Sequence, residues 1–116
     1  MSKPLGPYTP VVRAGDLVFV SGQVGVEDGS LVEGGVAGQT ARAVANLAAQ
    51  LETVGCELTD VVKTTCFLVD MDAFATFNAA YVDAFGGHRP ARSTVAVREL
   101  PVGAQVEIEA VAYAPS

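Results

Sequence analysis

Thr40, Val44, Leu47, Leu51 and Val54 recur at spacings of four, three, four and three, which puts them on one face of a helix expected over residues 36–54. Gly55 follows as the stop, because glycine takes the left-handed conformation without a Cβ clash. A helix with one apolar face needs an apolar surface to lie on, and the flanking segments supply strands. In TPVVRAGDLVFVSGQ, Val11 and Val12 precede an Ala14-Gly15-Asp16 turn and the apolar run Leu17–Val20, a hairpin pattern that Gly22 ends. Residues 24–35 are rich in Gly, Asp and Glu and read as a loop with one short strand around residues 30–33. DVVKTTCFLVD, residues 60–70, is β-branched, apolar and without helical period, so it reads as a buried strand.

Asp70 or Asp72 can cap a second helix, in which Phe74, Phe77, Tyr81 and Phe85 return at spacings of three and four until Gly86-Gly87 stops it. The aromatic stripe reads as core, including its phenylalanines. The remaining chain reads as a second hairpin, Ala91–Arg98 with Gln105–Tyr113, turned around Leu100-Pro101-Val102-Gly103. With 116 residues and neither repeat nor linker, residues 1–116 form one domain, an α+β sandwich of one mixed sheet covered on one face by two helices.

Half of the residues are hydrophobic and 17% are charged, enough for a core and incompatible with a disordered acidic tail. The apolar excess also points to a partner surface. A formal net charge of −6 with only seven Lys and Arg disfavours nucleic acid, whose binding draws on clustered cations. No run approaches the roughly 20 apolar residues of a membrane helix, and MSKPLGPYTP has no apolar block like a secretion signal. A cytoplasmic protein without a membrane partner is expected. Cys56 and Cys66 are widely spaced and His88 is the only histidine, so no metal set is expected and both thiols read as buried and reduced.

Within HRPARSTVAVREL, residues 88–100, stand three of the seven basic residues, Arg89, Arg92 and Arg98. Alternation places Arg92, Thr94, Ala96 and Arg98 on one side of their strand. On the following strand Gln105, Glu107 and Glu109 oppose Val106, Ile108, Ala110 and Ala112. If the apolar sides of both strands meet the same helices, arginines and glutamates share the uncovered sheet face. Cross-strand Arg–Glu pairs, each contributing ~0.2–1 kcal/mol, are the plain reading for Arg89 and Arg98. Arg92 differs in its frame: Pro90 fixes the backbone, and Ala91, Ser93 and Thr94 leave room around a guanidinium suited to bidentate capture of a carboxylate. Alternation alone leaves both readings of Arg92 open.

PARSTVAVREL followed by VEIEA, residues 90–100 and 106–110, resembles the C-terminal signature of the Rid/YjgF family of reactive-intermediate imine deaminases. GPY (6–8), VFVSGQV (18–24), AGQTARAVANL (37–47), DVVKTTCFLVDMDAF (60–74) and FNAAYVDAFGGHRPARS (77–93) follow in the family's order. The resemblance implies a chorismate-mutase-like, six-stranded mixed sheet with two helices on one face, in a homotrimer whose clefts between subunits bind small carboxylates. It implies hydrolysis of 2-imino acids and their enamine tautomers, of the 2-aminoacrylate and 2-iminobutanoate type, to 2-keto acids and ammonia, with no metal or cofactor.

Residue by residue, the resemblance makes Arg92 the carboxylate clamp and Glu107 the acid that positions water and moves protons. Tyr8 matches a tyrosine that closes the pocket, and Gly22 and Asn78 match pocket positions. Thr94 stands where some relatives have Cys, so a thiol there is not required; Cys66 and Glu109 read as structural. The short GGHRP loop and the few residues ahead of GPY depart from some relatives and bear on the cleft rim. A non-enzymatic carboxylate-binding or protein-interaction module on the same trimer is the alternative. Ribonuclease activity, also attributed to relatives, is disfavoured by the charge balance.

Overall fold

A computed structural model describes residues 5–115, so residues 1–4, most of the short segment ahead of GPY, lie outside the described residues. β1 (Val11–Ala14) and β2 (Leu17–Val24) form the expected hairpin. In place of one short strand, β3 (Val26–Glu27) and β4 (Ser30–Leu31) pair as a small ribbon. Its turn residues Asp28 and Gly29 both have positive φ, the geometry a two-residue hairpin demands. Arg42 and Asn46 tie this ribbon to the first helix. Arg42 donates to Glu27 Oε2 at 3.0 Å, and Asn46 Nδ2 donates to the carbonyls of Val24 and Val26, each at 3.0 Å.

That helix, α1 (Gly35–Glu52), buries Thr40, Val44, Leu47 and Leu51 as their spacing requires. Gly55 is left-handed at φ 77, and the Cys56 N–H donates back to Leu51 O at 3.0 Å, which closes the helix end. β5 (Val61–Leu68) is the buried strand, and Asp70 accepts from the Asp72 N–H to cap the short turn that leads into α2 (Phe74–Ala84). Phe77, Tyr81 and Phe85 are buried, whereas Phe74 is 38% exposed.

The sheet has five strands in the order β1-β2-β7-β5-β6, where six were expected, and the β3–β4 ribbon stands apart from it. β6 (Ala91–Ala96) and β7 (Val106–Tyr113) are not a hairpin, because β5 lies between them. β6 runs parallel to β5, and β7 runs antiparallel to it. The connection crosses the end of β5: the Val97 N–H donates to Leu68 O at 2.8 Å on one side, and the Val69 N–H donates to Gln105 O at 3.2 Å on the other. Gln39 then holds the start of β7 through reciprocal bonds with Gln105 of 2.8 and 3.1 Å.

Both helices cover one face, enclosing Val18, Val44, Leu47, Leu51, Leu68, Phe77, Val106 and Ile108. Each such side chain contributes about 1.5–3 kcal/mol relative to exposure. The opposite face is open and carries exposed Val12, Leu17, Phe19, Val95 and Tyr113. Among the described residues, no helix is long and apolar enough to cross a membrane.

Candidate functional site

β6 takes its facing from β5. Thr64 pairs with Arg92 and Cys66 with Thr94 in parallel register, so these side chains share the face on which Thr64 and Cys66 are buried. Arg92 and Thr94 therefore point toward α2. Glu107 and Glu109 alternate with buried Val106, Ile108 and Ala110 and point to the open face. The expectation that arginines and glutamates share one face is corrected here. β6 is an edge strand, and its helix side meets the aromatic flank of α2, so polar residues there need not turn outward.

On the helix side, the Arg92 guanidinium lies 4.9 Å from the Tyr81 ring centroid, 5.4 Å from that of Phe77 and 5.6 Å from that of Phe74. These rings hold the cation by its faces. No described residue forms an ion pair or hydrogen bond with it, and the ion pair among the described residues is Arg42–Glu27. Tyr81 is fixed by its 2.7 Å hydrogen bond with Thr64 Oγ1, and burial pushes its phenol pKa up. Beneath Arg92, burial pushes the Cys66 thiol up to about 11, against the opposing Thr64 hydroxyl and Arg92 charge, so Cys66 is an inert thiol as expected.

A cavity of about 330 Å³ opens at this point, lined by Asn78, Tyr81, Val82, Arg89, Pro90 and Arg92. Asn78 Oδ1 and Thr94 Oγ1 are buried without a hydrogen-bond partner among the described residues. Unpaired buried acceptors are costly, typically ~1–3 kcal/mol, and a site that keeps them has a use for them. Of these two oxygens only that of Asn78 belongs to a residue lining the cavity, since the Thr94 hydroxyl lies against the Cys66 thiol, and a guanidinium beside an amide oxygen suits a small ligand that brings both a carboxylate and an N–H.

On the open face, a larger cavity of about 580 Å³ is lined by Tyr8, Val12, Phe19, Gly22, Glu107 and Glu109, among others. β2 bulges between Val20 and Gln23, which brings Gly22 against the Glu107 carboxyl. A Cβ on Gly22 would lie 2.7 Å from Glu107 Cδ and 2.8 Å from Oε2, so any larger residue displaces the carboxylate. Ser21 holds the preceding segment by donating from its backbone N–H to Pro10 O and from its hydroxyl to Thr9 O, each at 2.8 Å. That segment ends in Tyr8, whose hydroxyl accepts from the Leu5 N–H at 3.1 Å. Glu107 accepts no hydrogen bond from a described residue. Burial, assisted by the neighbouring Glu109 charge, pushes its pKa above the usual carboxylate range.

The six candidate residues thus divide between the two sides of the sheet: Asn78, Arg92 and Thr94 on one, Tyr8, Gly22 and Glu107 on the other. Within one chain β5 separates the groups. The expected cross-strand Arg–Glu pairs do not occur among the described residues. The sequence reading also missed the aromatic cradle of Arg92, although the signal was present: Phe74, Phe77 and Tyr81 share the stripe assigned wholly to core.

The family described as endoribonuclease L-PSP matches residues 1–114. A 2-iminobutanoate/2-iminopropanoate deaminase of Mus musculus is 44% identical over 110 residues, covering 93% of this chain and 82% of its own. A RutC family protein of Pyrococcus abyssi is 42% identical over 113 residues, covering 96% of this chain and 89% of its own. The crystal structure of the YjgF gene product of E. coli superposes with a TM-score of 0.89 at 39% identity, covering 95% of this chain and 90% of that one. With the fold, the signature segments and the whole-length match in agreement, this chain belongs to the Rid/YjgF family.

Proposed function

We propose that this protein is an imine deaminase that hydrolyses 2-imino acids and their enamine tautomers, of the 2-aminoacrylate and 2-iminobutanoate type, to 2-keto acids and ammonia. The observation that carries the reading is the Arg92 guanidinium, paired with no described residue and held by three rings in the cavity that Asn78 also lines. Relatives covering most of the chain carry the deaminase name.

The reaction needs few groups. Arg92 grips the substrate carboxylate through its N–H edge, which orients the C=N carbon. Water adds to that carbon of the protonated imine while a carboxylate takes a proton from the water, giving a neutral carbinolamine. The carboxyl returns that proton to nitrogen, the C–N bond breaks, and the hydroxyl proton passes to the departing ammonia, which leaves as ammonium while the carbonyl forms. Glu107 is the group for both transfers, because a pKa raised toward neutrality lets a carboxyl accept and return a proton in one cycle. Tyr8 closes that side and Gly22 leaves room beside the carboxyl.

Arg92 and Glu107 lie on opposite sides of one sheet, so a site using both draws them from neighbouring copies. The exposed apolar residues of the open face give those copies a surface to share. A closed ring of three, each presenting its Arg92 side to the Glu107 side of the next, makes three equivalent sites by a heterologous contact that closes. The net charge of −6 supports a small anion held by local arginines over a polyanion such as RNA.

The test is semicarbazone formation from 2-aminoacrylate released by a serine or threonine dehydratase, with and without this protein. The expected result is less trapped imine and faster appearance of the keto acid. Unchanged trapping with both dehydratase substrates, at protein concentrations equal to the dehydratase, contradicts the reading.

A further inference from the structure

Arg89 lines the same cavity as Arg92, and it forms no ion pair and donates no hydrogen bond among the described residues. Arg89 is exposed at the cavity mouth and Arg92 half-buried within it, so the cavity presents two guanidiniums that no described residue pairs. The loop that carries Arg89 is anchored on both sides. His88 Nε2 hydrogen-bonds Val61 O at 2.7 Å, the His88 ring packs 6.4 Å from that of Phe85, and Pro90 leads directly into β6. Arg89 is therefore held at the rim by fixed neighbours on each side.

Arg92 sits deeper, half-buried between rings, with the unpaired Asn78 Oδ1 in the same cavity. A ligand that places one carboxylate on Arg92 leaves its far end directed toward the rim, where Val82 is apolar and Arg89 is cationic. A side chain ending in a second carboxylate matches that rim, and an uncharged one of the same size leaves Arg89 unpaired. Discrimination follows from the difference in pairing.

We propose that the Arg92 cavity is built for a 2-imino acid with a second carboxylate on its side chain, with Arg89 as the second anchor and the residue that sets this preference. The proposal rests on the deaminase reading for the identity of the reacting group, and on the cavity alone for the dicarboxylate preference. Such imines arise wherever an acidic amino acid is oxidised at its amino carbon, so an amino-acid-oxidising enzyme is the class of reaction that supplies the substrate.

The imines of glutamate and glutamine differ in charge and hardly in size. Each is generated by an amino-acid oxidase with catalase present, and the protein's effect on semicarbazide trapping is measured. The expected result is a kcat/KM ratio, glutamate-derived over glutamine-derived, that is about five- to tenfold above one for the wild type and falls to about one in Arg89→Gln. Arg89→Lys retains part of the preference, and added salt reduces it, as a rim charge requires. Affinity for 2-oxoglutarate against 2-oxopentanoate, measured by calorimetry, gives the same comparison without turnover. A wild type that does not discriminate, or an Arg89→Gln protein that keeps the ratio, overturns the proposal. Absence of turnover with every imine, alongside a 2-oxoglutarate preference lost in Arg89→Gln, overturns the deaminase reading and leaves the dicarboxylate site standing.

Discussion

Replacing Arg92 by Ala is expected to lower kcat/KM for 2-imino acids by about 10²–10³-fold, because truncating one partner of a desolvated, hydrogen-bonded charge pair typically costs ~2–5 kcal/mol. The loss of stability is a separate effect. The guanidinium makes no ion pair with a described residue, and its contacts with the rings of Phe74, Phe77 and Tyr81 are each of a kind that contributes ~0.5–1 kcal/mol. Thermal unfolding and imine trapping on the same preparation separate these effects. Arg92→Lys recovers only part of the rate, since an ammonium keeps the charge and loses the planar fork. Full activity in a folded Arg92→Ala protein removes the carboxylate clamp from the mechanism.

Replacing Glu107 by Gln is expected to remove the proposed proton-transfer group and to lower kcat by about 10²–10⁴-fold. The effect on stability runs the other way. Burial and the Glu109 charge hold the folded-state pKa of Glu107 above the usual carboxylate range, so the folded chain favours its protonated form. A group raised in this way contributes stability that is fully present below the ordinary carboxylate pKa and is lost as pH rises through the raised value. At neutral pH the carboxylate is thus a burden that Gln lacks. In the dissociated chain, away from the Arg92 of a neighbouring copy, Glu107→Gln is expected to unfold at a higher temperature than the wild type near pH 7, and the difference is expected to shrink when both are measured near about pH 4. A glutamine variant that is less stable at pH 7 than the wild type contradicts the buried-charge account. In the wild type, the acid limb of the kcat profile should fall above the usual carboxylate range.

A rise in stability with a loss of rate would mark Glu107 as a residue kept for chemistry. The same logic applies across the sheet, where Asn78 Oδ1 is buried without a partner among the described residues, in the cavity that Arg92 lines.

Elements whose pattern is local were legible in the sequence. The stripe from Thr40 to Val54 and the stop at Gly55 located α1 to within two residues at each end, because helix periodicity and a left-handed glycine are short-range facts. The hairpin of β1 and β2 was equally local. The pairing of β6 was not. Its alternation correctly divides Arg92 and Thr94 from Ser93 and Val95, but which side meets a helix depends on β5, a strand far away in sequence, and on a crossover through residues 97–105 that resembles a hairpin turn in composition. Reading the two strands as partners put Arg92 and Glu107 on one face. The parallel register with β5 separates them, and this separation is what makes a second copy necessary to any site that uses both.

The bulge that sets Gly22 against Glu107 was likewise beyond a reading of alternation, since it arises where β2 must pair with β7 on both sides of an irregularity. The family signature supplied the candidate residues, and the register shows on which side of the sheet Arg92 and Glu107 lie.

Co-expression of Arg92→Ala and Glu107→Gln chains, each nearly silent alone, tests most directly whether the site is shared between copies. In randomly mixed trimers about a quarter of the sites combine an intact Arg92 from one chain with an intact Glu107 from its neighbour, so imine hydrolysis is expected to return to about a quarter of the wild-type rate. Mixed assemblies, verified by differential tags, that remain as silent as the separate variants contradict a site built across two copies.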